Sequence, residues 1–107
     1  MTTAWLYLLL AGLFEIGWPI GLKMAQTPSR FLLGLVISVI FLMISGWMLF
    51  LAQRQIPMGT AYAVWTGIGA AGTFVVGIVV YGDPIAFARI LGVLLIVGGV
   101  ATLKLAH

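Results

Sequence analysis

Cysteine is absent from this 107-residue chain, which excludes a disulfide framework and a thiolate metal site. Charge is almost as scarce, at 7% of residues against roughly 25% in soluble domains. The acids number two, Glu15 and Asp83, and the sole histidine is the last residue, His107. A metal centre would have to use Glu15 and Asp83, which fall at different membrane depths in the reading below, so none is expected. The five bases, Lys23, Arg30, Arg54, Arg89 and Lys104, stand singly at the ends of apolar runs. Without a basic patch, nucleic-acid binding has no electrostatic footprint. Residues 67–72 spell Gly-Ile-Gly-Ala-Ala-Gly, a formal dinucleotide fingerprint, but inside an apolar span with no preceding strand. No cofactor is therefore expected, and no catalytic set remains that would make the chain an enzyme.

What is abundant is apolar surface: 64% of residues are hydrophobic, which makes this an integral membrane protein. Four apolar segments, about 4–22, 31–52, 58–81 and 87–105, are each long enough to cross a hydrocarbon core of about 30 Å. The expected fold is all-α, a single transmembrane domain over residues 1–107 in which four helices close into a bundle with both termini on one side. Thr27-Pro28 and Asp83-Pro84 each read as an N-cap followed by a proline at the first helical position. Pro57 restricts Ile56 to extended geometry. The first apolar segment starts near the N-terminus like a signal peptide. However, residues 1–4 carry no Lys or Arg, and the run holds a glutamate and exceeds an h-region in length, so a retained helix is expected.

Lys23, Arg30 and Arg89 fall at the ends facing loops 1–2 and 3–4, and Arg54 and Lys104 on the side of the termini. That split gives almost no positive-inside bias and permits insertion in both directions. Four short helices also leave little room for a solute path, whereas two copies can enclose one. Transporters often build alternating access from inverted repeats, and a chain with no internal repeat can obtain that symmetry by dimerising head to tail.

Glu15 is the residue that most needs a reason. A charged side chain at the centre of a spanning helix costs roughly 2.5 to 3.5 kcal/mol on insertion scales, and such acids face cavities, bind cations or carry protons. The bland alternative is a Glu kept protonated or paired with another buried group. Gly12, Glu15, Trp18 and Leu22 share one helix face. On that face Gly12 is expected to clear space for the carboxylate and Trp18 to wall it, an arrangement suited to a desolvated organic cation. Pro19 leaves the Glu15 carbonyl without its helical partner, so a kinked or loosened helix is expected there.

In helix 3, Tyr62 and Trp65 share a face, followed by Thr66 and by Gly67 and Gly69, which read as a hinge beside an aromatic wall. Small-residue helix packing is the alternative for the glycines. The Ser45 hydroxyl has two readings, a bond to the carboxylate or its cation and a bond to its own helix. Helix 4 offers Gly92, Gly98 and Gly99, with Gly92 and Gly99 on one face and no acid or aromatic nearby, so dimer contact is its expected role.

The stretches Gly12-Leu-Phe-Glu15-Ile-Gly-Trp18-Pro-Ile-Gly-Leu-Lys23 and Pro57-Met-Gly-Thr-Ala-Tyr62-Ala-Val-Trp65-Thr66-Gly-Ile-Gly69 resemble the small multidrug resistance family of bacterial transporters. Trp18 and Thr66 bring the sequence nearer the guanidinium exporter subtype than the quaternary-ammonium subtype. The resemblance implies a multi-pass protein of the bacterial inner membrane, an antiparallel homodimer or a pair with a paralogous subunit. It implies exchange of protons for guanidinium ion or small substituted guanidinium compounds. Glu15 would then bind proton or substrate, with Trp18, Ser45, Tyr62 and Trp65 lining the site and Gly12, Pro19, Thr66, Gly67 and Gly69 in support. Two Glu15 carboxylates per dimer imply two protons per cation. The rival readings are a lipophilic-cation multidrug exporter and a non-transporting membrane subunit whose Glu15 pairs with a partner's base.

Overall fold

The computed structural model describes residues 2–106; His107 lies outside the described residues. Four helices follow one another: α1 Thr3–Met24, α2 Phe31–Ala52, α3 Met58–Tyr81 and α4 Phe87–Ala106, with a 3-10 turn, Pro28–Arg30, leading into α2. All four are long and apolar enough to cross a membrane.

Local chemistry explains most of the boundaries. Thr2 caps α1, its hydroxyl oxygen accepting from the Trp5 N–H at 3.4 Å. Thr27 is extended ahead of Pro28, but its side chain makes no capping bond, and the proline starts the 3-10 turn rather than α2 itself. α3 stops at Gly82, whose φ of 68° only glycine adopts without strain. The Gly82 and Asp83 N–H groups both close that end on the Gly77 carbonyl, the Asp83 bond at 3.0 Å.

Asp83 corrects the capping expectation. Its backbone is spent on ending α3, residues 82–86 are non-helical, and α4 begins only at Phe87. The first bond of α4 runs from the Ile90 N–H to the Ala86 carbonyl at 3.0 Å, so Ala86 holds the capping position.

A closed bundle is also not what forms. α1 is central, packed along α2 on one side and α3 on the other, while α2 barely touches α3 and α4 rests principally on α3. α4 buries none of its residues. The buried core lies toward the termini, where Trp5 and Leu8 of α1 meet Ile56 before α3 and Ala61 and Val64 within it.

The α1–α2 seam depends on missing side chains. A Cβ at Gly34 would meet the Gly21 carbonyl oxygen and the Ala25 backbone, and a Cβ at Gly17 would meet the Phe41 ring. Small residues let helix backbones approach closely in lipid, where apolar burial gives no net drive. Across the same seam the Ser38 hydroxyl donates to the Trp18 carbonyl at 2.7 Å. α1 continues as one helix through Pro19, from Thr3 to Met24.

Backbone atoms cannot yield to a new side chain, so Gly34→Val is expected to destabilise the detergent-solubilised protein by about 1–3 kcal/mol through overpacking. Gly46→Val, on the same helix with open space around its Cβ position, is the control. Denaturant unfolding of the two variants should separate them, and equal midpoints would refute the close-approach account.

Candidate functional site

Glu15 lies at mid-length on α1, half-buried against α3. Its seat is Gly69: a Cβ there would come within 2.6 Å of Glu15 Cγ, so the acid's stem occupies the place of the missing side chain. Glu15, Trp18 and Pro19 of α1 then line a cavity of about 310 Å3 with Thr66, Gly69 and Thr73 of α3. No residue of α2 or α4 contributes to that wall.

Two polar atoms at this site are buried without a hydrogen-bond partner, Glu15 Oε1 and Trp18 Nε1. Trp18 and Ser45 lie near enough to the carboxylate to act on it electrostatically, but neither completes a hydrogen bond of good geometry. Buried polar groups are nearly always paired, and an unpaired one marks a place kept for function or for an ion. Here an acceptor and a donor of that kind sit one turn apart on one helix.

Ser45 bonds across the helix interface, not to its own helix. Fully buried on α2, its hydroxyl donates across the helix interface to the Ala11 carbonyl at 2.7 Å and accepts from Trp65 Nε1 at 2.8 Å. Trp65 is thereby fixed to α2, and Tyr62 stands beside it, the ring centroids 5.4 Å apart. Tyr62 is 56% exposed. It is one turn before Thr66 and continues the face that carries Thr66, Gly69 and Thr73 along α3. The aromatic pair thus flanks the Glu15 cavity on the side of the termini.

The glycines divide differently from expectation. Gly12 does not clear room for the carboxylate, because Ile68 of α3 fills the space over it, with its Cβ 2.7 Å from where a Gly12 Cβ would be. Gly67 faces away from Glu15, toward Val100 and Ile96 of α4. Gly69 is the one that serves the acid directly. Both Gly67 and Gly69 lie within a continuous helix, Met58–Tyr81, and are buried in helix contacts. Gly92, Gly98 and Gly99 are exposed on α4 with open space around them. Thr73 went unnoticed in the sequence, although it stands four residues after Gly69 on the same face. Among the described residues no group of His, Cys, Asp and Glu is placed to hold a metal ion.

These features define a small multi-pass membrane protein built around one intramembrane acid at a cavity. The family model described as Small Multidrug Resistance protein matches residues 3–96, and the chain belongs to that family. Among relatives, the guanidinium exporter of Yersinia pseudotuberculosis serotype I (strain IP32953) is 48% identical over 103 residues, covering 96% of this chain and 98% of the relative. The guanidinium exporter of Citrobacter freundii is 46% identical with 96% and 97% covered, and that of Proteus vulgaris 44% identical with 96% and 98% covered. The protein is accordingly a multi-pass protein of the inner membrane.

The Trp65–Ser45–Ala11 connection has a measurable strength. Ser45→Ala leaves the half-buried indole N–H without its acceptor and is expected to cost about 1–3 kcal/mol. In a Trp65→Phe background the same change should cost about 1 kcal/mol less, which a double-mutant cycle of unfolding midpoints reads directly. Strict additivity would show that the bond carries no coupling.

Proposed function

We propose that the protein is a proton-coupled exporter of guanidinium ion and small substituted guanidinium compounds. The observation that carries the reading is the buried, unpartnered Glu15 Oε1 on the wall of a cavity large enough for a small organic cation. The guanidinium exporters that share nearly its whole length support the choice of cation.

Guanidinium is planar and presents paired N–H donors, which match the two oxygens of a carboxylate as arginine does. Trp18 offers an aromatic face one turn away. Burial disfavours an ionised carboxylate and a bound cation favours it, so proton and guanidinium displace one another at Glu15. If the site opens to one side at a time and switches only when loaded, inward proton flow drives outward cation flow.

The working unit in this proposal is an antiparallel homodimer, or a pair with a paralogous subunit. Its support is the one-sided cavity: α1 and α3 wall it, and the surface opposite is left for a second subunit. The exposed glycine face of α4, with no buried residue of its own, suits close contact between copies. In such a dimer two Glu15 carboxylates stand at a shared site, which suits exchange of two protons for one guanidinium. Tyr62 and Trp65, together with Ser45 through its hold on the indole, shape the wall toward the termini.

Purified protein in liposomes should show guanidinium-dependent proton movement that is lost in Glu15→Gln. Proton movement coupled to tetraalkylammonium but not guanidinium would replace this reading with a multidrug one, and coupling to neither would leave a non-transporting subunit. Single cysteines placed in loop 1–2 should be labelled from both membrane faces if the dimer is antiparallel. Labelling from one face only would eliminate that assembly.

A further inference from the structure

A second carboxylate is seated on α3 in the same manner as the first. A Cβ at Gly77 would run into Asp83 Oδ2, so the loop folds the Asp83 side chain back over α3 instead of outward. The result is a cavity of about 180 Å3, in which Asp83 shares the lining with Lys23, Tyr81, Thr73, Gly77 and Pro19.

The register explains why this cavity adjoins the one at Glu15. On α3, Gly69, Thr73 and Gly77 are spaced by four and form one ridge; on α1, Glu15, Pro19 and Lys23 do the same. Gly69 seats Glu15 and Gly77 seats Asp83. Pro19 and Thr73, the middle members of the two ridges, line both cavities. At about 1.5 Å per residue, the two glycine seats are separated by about 12 Å along α3.

The outer cavity already holds a cation of the chain's own. Lys23 Nζ lies 5.7 Å from the Tyr81 ring centroid, within cation–π range. An ammonium on an aromatic face beside a carboxylate repeats the chemistry of Trp18 and Glu15, with the cation tethered to the chain.

We propose that the Asp83–Tyr81 cavity is an outer binding site for the transported organic cation, reached before or after Glu15 by way of the Pro19–Thr73 wall. Lys23 acts there as a built-in competitor that keeps the outer site weaker than the inner one. The inference rests on the guanidinium-export reading. It assigns Asp83 to capture and release of the cation, leaving proton exchange to Glu15.

The test is guanidinium transport by reconstituted wild-type, Asp83→Asn, Lys23→Met and Gly77→Ala proteins, at several ionic strengths. Asp83→Asn should raise KM about three- to tenfold with the maximal rate held within about twofold, and should flatten the dependence of KM on salt. Gly77→Ala, which pushes the carboxylate from its seat, should move KM the same way. Lys23→Met should lower KM by removing the competitor. Opposite signs for Asp83→Asn and Lys23→Met separate cation capture from a general loss of structure, which would impair both. If wild type transports guanidinium and KM stays within about twofold in all three variants, or rises in Lys23→Met as well, the outer site is overturned while the export reading stands. Wild type inert toward guanidinium overturns the export reading and the outer site with it.

Discussion

The contact on which the rest of the molecule depends is the one between the Glu15 stem and the bare backbone of Gly69. An acid in a spanning helix is costly, and the cost is limited when the carboxylate faces protein and a cavity instead of lipid. With any side chain at position 69, α3 would have to retreat from α1 or the acid would have to turn elsewhere. The same contact brings Thr66 and Thr73 to the cavity wall and sets the height at which the aromatic pair stands above it. α1 is consequently the axis of the fold, with α2 held to it by glycine seams and serine hydroxyls and α3 held to it around the acid.

The number, type and approximate extent of the helices could be read from hydropathy, because lipid leaves a chain of this composition few alternatives to closed hydrogen bonding within each span. The site was legible in part. Glu15 and Trp18 stand out in the sequence because an intramembrane acid with an aromatic one turn on is costly to place without a reason. Its place before a proline makes Asp83 read as a helix cap, and the left-handed turn at Gly82 redirects it onto α3. Gly12 reads as a site residue from the helix face it shares with Glu15, and Gly67 as a hinge beside the aromatic pair, but whether a glycine faces the acid or a neighbouring Ile or Val depends on how the helices are rotated against each other. Helix periodicity orders residues around one axis and is silent on the partner's rotation.

The open arrangement of the four helices gives the family membership its structural sense. A closed bundle would surround Glu15 with its own four helices, whereas here no residue of α2 or α4 lines the cavity, which is left one-sided. Cations at both ends of the helices lie over rings, Lys23 on Tyr81 and Arg89 on Phe74 at one end, Arg54 on Phe50 and Lys104 on Trp5 at the other. Both membrane interfaces therefore meet the same kind of amphipathic anchor.

The Trp65 indole, the Ser45 hydroxyl and the Ala11 carbonyl form a line of dipoles that all point one way, from nitrogen to hydroxyl to carbonyl oxygen. Aligned hydrogen bonds polarise one another in a low-dielectric interior. The Ala11 carbonyl is also the acceptor that an α-helix assigns to the N–H of residue 15. A swing of the indole on α3 would therefore alter the charge on an oxygen that α1 uses to hold its own backbone at the acid, a message between helices that requires no side chain of Glu15 to move.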